Sequence, residues 1–233
     1  MDLVLPADGL AIVGENGHGK SNLLEAVYYL HLLRSVRGAR DAELVRFGAA
    51  AFHVHALVDA PASGGAVRAH EIGVGYDRLD AEARNLRAGK RKRVRLDGAE
   101  TPRLTDALGA LPSVIFSPGD VTLVAGSPSE RRRYLDVALA LTDRRYLAAL
   151  QAYRAALVRR NAALRDAART GRGEERASVW EPALAEHGAV LWTRRRAWVA
   201  RWAARFAALC TAIGERSAAR VTYESALAVE GPE

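Results

Sequence analysis

The run Gly14, Glu15, Asn16, Gly17, His18, Gly19, Lys20, Ser21 fills every defined position of the pattern G-x-x-x-x-G-K-[ST]. Glycines let the backbone curl until successive N–H groups face one point. A helix starting near Ser21 adds its positive end, so the run forms a cradle for phosphate. The Lys20 ammonium has the charge and reach to bridge the β- and γ-phosphates of a nucleoside triphosphate, and the Ser21 hydroxyl is the expected Mg2+ ligand. The expected contact set is Gly14 to Ser21 together with the next residue, Asn22. Within it His18 is a passenger, and Glu15 and Asn16 serve loop geometry. No residue is assigned a catalytic role.

Other clusters are less specific. Lys90, Arg91, Lys92 and Arg93 form the densest basic run. One reading puts these four on DNA phosphates, which position a protein without reading sequence. The other makes them a solvated hairpin. Arg131-Arg-Arg133 opens a helix, where packing or ion pairs account for it equally well. Arg194-Arg-Arg196 sits on a helix with an aromatic opposite face, so a solvated face is the default there. His53 and His55 share one face of a strand, but no cysteine or third histidine supports a metal site, and a structural role is expected. No nucleophilic triad or carboxylate pair stands out.

A phosphate cradle needs a strand before it and a helix after it. Residues 10 to 13 (Leu-Ala-Ile-Val) form a short apolar run predicted as that strand, and Ser21 to Leu33 reads as the helix. Phe52 to Val58 and Ala69 to Tyr76 partly alternate around the turn cluster Pro61 to Gly65, and Val94 to Gly98 adds a strand ending in a turn. These predict an antiparallel sheet beside the nucleotide-binding core. Leu111 to Phe116 reads as a further core strand. From Ser129 the spacing becomes helical through Leu164, breaks at Thr170 to Gly173, and resumes on a second arm carrying all four tryptophans. Aromatic residues at helical spacing are expected to pack. The predicted organisation is a P-loop domain over residues 1–128 and a helical lobe over residues 129–233.

The 233 residues carry a net charge of +7, which suits a polyanionic partner. An Ala-, Arg- and Gly-rich composition from a GC-rich genome explains the same charge. No apolar stretch reaches the roughly eighteen residues of a membrane-spanning helix. The N-terminus lacks a secretion pattern. The lone Cys210 is expected to be an inert thiol in a reducing cytoplasm.

Four separated stretches resemble the RecF family. Gly14 to Ala26 resembles its P-loop and first helix, and Arg34-Ser-Val-Arg37 its R-S-x-R segment. Phe116-Ser-Pro-Gly-Asp120 with Gly126 to Asp136 resembles its F-x-P-x-D and G-x-P-x-x-R-R-x-F-L-D stretch, and Arg159 to Leu164 its R-N-x-x-L helix. The resemblance implies an α/β fold, with a P-loop ABC-ATPase-like core related to the SMC-like proteins, an antiparallel β-sheet subdomain and a helical hairpin lobe. It implies ATP and Mg2+ as cofactors, and double-stranded DNA and single-strand/double-strand junctions as substrates. It further implies an ATP-dependent homodimer, weak DNA-dependent ATPase activity, and RecO and RecR as partners in loading RecA at gaps. The implied setting is the DNA damage and SOS response in a bacterial cytoplasm, at the nucleoid, with no membrane.

Two departures qualify the likeness. The family normally begins with a strand and an F-R-N-type segment, whereas Gly14 here stands thirteen residues after Met1. The S-x-G-Q signature and the Walker B run, apolar residues ending in Asp-Asp or Asp-Glu, are absent from these 233 residues. The chain is therefore expected to be incomplete at both ends and to bind nucleotide without turning it over. Two rival readings remain: a P-loop kinase or phosphotransferase, and a non-hydrolysing DNA-binding fragment.

Overall fold

A computed structural model of the chain describes residues 2–61, 67–78, 92–173 and 175–225, and separates into two units, Met1–Ser117 and Pro118–Glu233. In the first unit the expected helix is α1 (Lys20–Leu32). It stops where Leu33 turns left-handed at φ 54°, donating its N–H to Tyr29 O at 2.7 Å. A leucine holds that costly conformation because its side chain is buried in the core, 5% exposed.

The sheet is an antiparallel meander of β1 (Ala51–Pro61), β2 (Val67–Asp77), β3 (Lys92–Leu96) and β4 (Ala99–Glu100). The three strands predicted here are all present. Asp97 and Gly98, both at positive φ, make the β3–β4 turn, the pattern a two-residue type I′ hairpin requires. The predicted turn at Pro61 to Gly65 lies outside the described residues beyond Pro61. Register places Val54, Val74 and Val94 in one row across three strands. Those side chains meet Tyr29, Leu30 and Ile72, so α1 is packed on the inner face of the sheet. Full burial of each such side chain contributes about 1.5–3 kcal/mol.

Two predicted strands are not formed. Residues 10–13 and 111–116 have no ladder partners among the described residues, and Val13, Val114 and Phe116 are about nine-tenths exposed or more. A parallel core strand draws its ladder bonds from neighbours on both sides and is buried on both faces. Apolar content alone does not make a strand without those neighbours.

His31, in the last turn of α1, is 8% exposed, its Nδ1 has no hydrogen-bond partner, and its carbonyl accepts from Gly109 N at 3.0 Å. Burial pushes its pKa below the ordinary 6.5, opposed by a hydrogen bond with the Leu111 backbone. A depressed value means that the folded state resists protonation. The stability is fully present above the unfolded-state value and is lost as pH falls from there toward the folded value. Urea unfolding between pH of about 7 and 5 is expected to show a larger loss of stability for the native chain than for His31→Leu. Parallel pH profiles would refute this.

The second unit is helical. A short α2 (Thr122–Ala125) precedes α3 (Pro128–Thr142), α4 (Arg144–Thr170), α5 (Glu175–Ser178) and α6 (Glu181–Ala212). The predicted division after residue 128 falls within this unit, because α2 packs on α3. Gly126 sits at their junction, and a Cβ there would lie 1.9 Å from Glu130 Oε2 and 2.3 Å from Thr122 O, so only glycine fits. Pro128 occupies the first turn of α3, and Glu130 Oε2 accepts from Ser127 N at 3.0 Å.

The first predicted arm is two helices rather than one. Asp143 stands in an extended conformation, and its Oδ1 accepts from Arg145 N at 2.9 Å and Tyr146 N at 3.1 Å, which starts α4 afresh. Helix α4 ends at Gly171 (φ 68°), at the predicted break. Helix α6 returns antiparallel, with Arg160 facing Glu181, Tyr153 facing Gly188 and Tyr146 facing Arg195. The hairpin core is Leu139, Tyr146, Ala149, Leu150 and Leu191.

Inside the hairpin Asp136, 7% exposed, accepts from Tyr146 Oη and Arg195 Nη2, each at 2.5 Å, and from Arg154 Nη2 at 2.9 Å. Arg195 therefore leaves the solvated face predicted for residues 194–196. Arg194 meets Asp143 at 3.3 Å, and Arg196 lies over the Trp192 ring at 5.3 Å. The partly buried Trp198 packs against the more exposed Tyr134 and Trp202, in line with the expectation that these aromatics pack. Cys210 is half-buried and free. No helix among the described residues is long and apolar enough to cross a membrane.

Candidate nucleotide site

The loop before α1 is built by glycines at φ 148° (Gly14), 89° (Gly17) and 84° (Gly19). At Gly17 and Gly19 an added Cβ would meet nothing within 4 Å, so the backbone conformation, not crowding, demands glycine there. Helix α1 begins at Gly19, whose carbonyl accepts from Asn22 N at 2.9 Å and Leu23 N at 3.1 Å. No side chain caps it and its first turn holds no acidic residue, so the positive end of the helix is left for an incoming anion.

Lys20 folds back over the loop, its Nζ donating to Gly14 O and Glu15 O, both at 2.6 Å. An ammonium has three donors. Two brace the loop and one remains for a phosphate oxygen. Glu15 lies 3.7 Å from the His18 ring, and both are exposed. Asn16 and Ser21 are exposed too, which keeps the Ser21 hydroxyl open to a cation.

The segment Arg34 to Arg37 is fastened to the same helix. Ser35 Oγ and Arg37 Nη2 both donate to the buried Glu25 carboxylate in short contacts. Arg37 Nε donates to it at 2.9 Å, and Arg37 Nη2 also reaches Asn22 Oδ1 at 2.7 Å. Asn22 is thus held one residue beyond the P-loop. Beside it opens a cleft of about 460 Å3, lined by the polar Asn22, Glu25, Arg37 and Glu43 and by the apolar Ala26, Tyr29, Leu44 and Phe52. Sequence reading missed Glu25, although its spacing of three from Asn22 puts both on one helix face.

The basic run 90–93 does not act as one patch. Lys90 and Arg91 lie outside the described residues. Lys92 points into the fold: its Nζ donates to Leu33 O in a short contact, meets Asp41 Oδ2 at 3.1 Å, and sits 4.6 Å from the centre of the Tyr29 ring. Burial pushes its pKa below the usual lysine value, with Asp41 opposing. Burial, reinforced by its hydrogen bond to Asp41, pushes the Tyr29 phenol far above its usual range. The cause is strand periodicity: Lys92 and Val94 face the core, while Arg93 and Arg95 face outward. Arg93 pairs with Asp77 at 2.7 Å. Arg131, which opens the run 131–133, donates to Gly126 O at 3.0 Å and so fastens a turn. His53 and His55 stack their rings 6.2 Å apart, and no group of three metal-ligating side chains occurs among the described residues.

No protein-family model matches the chain. Curated proteins named DNA replication and repair protein RecF do. The chain is 32% identical over 222 residues to that of Chlorobium luteolum, covering 94% of this chain and 56% of the relative. It is 38% identical over 204 residues to that of Frankia alni, covering 85% and 50%. For Acidothermus cellulolyticus the identity is 38% over 221 residues, covering 94% and 56%. Among solved structures it is similar to the recombination mediator protein RecF with ATPrS in the RecFOR pathway, at TM-score 0.73 and 30% identity over 86% of this chain and 50% of that one. It is equally similar to RecF with ATP, at TM-score 0.73 and 31% identity over 85% and 50%. The chain spans about half the length of the curated relatives it matches. With TM-scores of 0.73 to those structures, the α/β fold with its ABC-ATPase-like core stands. Over the span it covers, with its P-loop, its clamped first helix and its helical hairpin, the chain belongs to the RecF family.

Proposed function

We propose that this chain is the nucleotide-binding part of a DNA replication and repair protein, holding ATP with Mg2+ on Gly14 to Ser21. The observation that carries this reading is the P-loop geometry: left-handed glycines, an uncapped helix and a Lys20 ammonium with one donor to spare. The triphosphate lies on the loop, Ser21 ligates Mg2+, and the nucleoside enters the cleft beside Asn22, whose mixed lining offers polar side chains to ribose and apolar ones to a base. The similarity to RecF structures described with ATP and ATPrS supports that cofactor.

The wider role follows the same relatives. ATP binding drives head-to-head dimerisation on duplex DNA and at single-strand/double-strand junctions in the bacterial cytoplasm, and RecO and RecR join in loading RecA at gaps during the response to DNA damage. Support comes from the family and from the RecFOR pathway in which those relatives are described. No Walker B run occurs in these 233 residues, so the reading assigns binding to this chain and no turnover.

The test titrates the chain with a fluorescent ATP analogue and Mg2+, then measures binding to gapped and intact duplex DNA with and without ATP. Saturable binding, competed by ATP, and tighter DNA binding with ATP present are expected. Absence of saturable ATP binding would overturn the reading, and phosphate transfer to a small acceptor without DNA would identify a phosphotransferase instead.

A further inference from the structure

The meander leaves β1 at one edge of the sheet and the two-residue β4 at the other. Arg78 N donates to Ala50 O at 2.7 Å, so even-numbered residues along β1 turn their backbone groups toward β2. Alternation then points the N–H and C=O of His53, His55, Leu57 and Asp59 off the sheet. These groups have no hydrogen-bond partner among the described residues. Such a row is a template for a further strand.

The devices that usually blunt an edge are missing. Register with β2 runs without a bulge from the Ala51–Asp77 pair to the Pro61–Val67 pair. The strand holds no lysine or arginine, and proline enters only at its last residue. Leu57 lies on the outer face, 71% exposed, while Phe52, Val54 and Ala56 pack on the core from the inner face.

A second, antiparallel copy of β1 complements this edge. Ala56 is the middle of the eleven residues, so a two-fold axis beside it aligns both strands over their whole length. Leu57 then pairs with His55 of the second copy and His53 with Asp59 of the second copy, bringing the open backbone groups of the two edges together. On the inner face Val54 meets Val58 and Ala56 meets its own counterpart, so the apolar layer continues through the join. Asp59, the only formally charged side chain of β1, faces an imidazole that one χ1 rotation moves from its place over Gly73. Shifting the axis to His55 or Leu57 leaves two residues of each strand unpaired.

We infer that the free edge of β1 joins two copies of this chain, merging two four-stranded sheets into one antiparallel sheet without nucleotide. This pairing is separate from the ATP-driven dimerisation proposed above and does not rest on it.

Sedimentation equilibrium without nucleotide, over a wide range of concentration, tests it. The mass is expected to rise from that of one chain to that of two and stop, because the pair uses up the long edge of both copies. Leu57→Pro removes an N–H that points off the edge, so the bonds to β2 are kept while the incoming strand is blocked. It is expected to raise the dimer dissociation constant by about tenfold or more. Ala56→Cys, combined with Cys210→Ser, sets two thiols opposite each other in a non-hydrogen-bonded pair. The Cα atoms of such a pair stand about 4.5 Å apart, within disulfide range. Mild oxidation is expected to link this variant into a covalent dimer. Val58→Cys in the same background places its thiols four residues apart along the strands, about 14 Å, and is expected to stay unlinked. An unchanged circular dichroism spectrum establishes that each variant is folded.

A chain that stays monomeric at every concentration overturns the inference, whatever else binds the edge. So does a dimer that appears only with ATP, one that Leu57→Pro leaves as tight, or equal cross-linking of the two cysteine variants. Association past two copies would assign the edge to aggregation and overturn it as well.

Discussion

Asp136→Ala is expected to destabilise the helical unit by about 3–5 kcal/mol, the usual cost of removing one partner from a buried ion pair. Asp136 binds across all the long helices of that unit, meeting Tyr146 and Arg154 of α4 and Arg195 of α6 from its own position on α3. Burial works against the Arg195 charge, but the Asp136 carboxylate more than offsets it and holds the guanidinium above its ordinary value. Burial, and then the Asp136 hydrogen bond, pushes the Tyr146 phenol well above its usual range. Without Asp136 the Arg195 side chain, 15% exposed, keeps only the phenol oxygen, at 3.0 Å, among the described residues. Arg154 is 60% exposed and its loss leaves no buried charge, so Arg154→Gln is expected to cost less than about 1 kcal/mol. All four tryptophans lie between residues 180 and 202, so selectively excited tryptophan fluorescence during denaturant unfolding reports this unit alone. A cost for Asp136→Ala no larger than that for Arg154→Gln would show that the network contributes little.

That network also marks where sequence reading stops. Asp136 lies in a recognisable family stretch, but nothing local identifies Arg195, 59 positions away, as its partner rather than a member of a solvated arginine run. Features fixed by neighbours in the chain were legible: the P-loop, α1, the alternating strands and the glycine break after Thr170. Features fixed by a competition were not. Helical spacing continues through residues 134–164, yet the Asp143 side chain captures two backbone N–H groups and starts a new helix. Lys92 reads as one of four cations until strand alternation is applied, which sends it to Asp41 and leaves Arg95 outside. Residues 10–13 and 111–116 have strand composition, but a ladder needs partners that composition does not supply.

Lys20→Ala is expected to lower ATP affinity on the order of a hundredfold while leaving the fold intact. Hydrogen bonds to charged groups contribute about 1.5–3 kcal/mol, and the Lys20 donor left for a phosphate oxygen, together with its charge, is worth roughly the upper figure when truncated. The structural consequence is small, for a stated reason. The internal partners of Lys20 are the carbonyls of Gly14 and Glu15, both on exposed residues, so water replaces the lost donors at little cost. The glycine dihedrals and the start of α1 depend on backbone bonds to Gly19 O and are untouched by the substitution. The thermal midpoint of Lys20→Ala should therefore stay close to that of the native chain without nucleotide, and the stabilisation that ATP gives the native chain should disappear. Lys20→Arg is expected to fail as well, because a planar fork does not replace a compact ammonium inside a loop that closes to 2.6 Å around it. Undiminished ATP affinity in Lys20→Ala would remove the nucleotide from this loop.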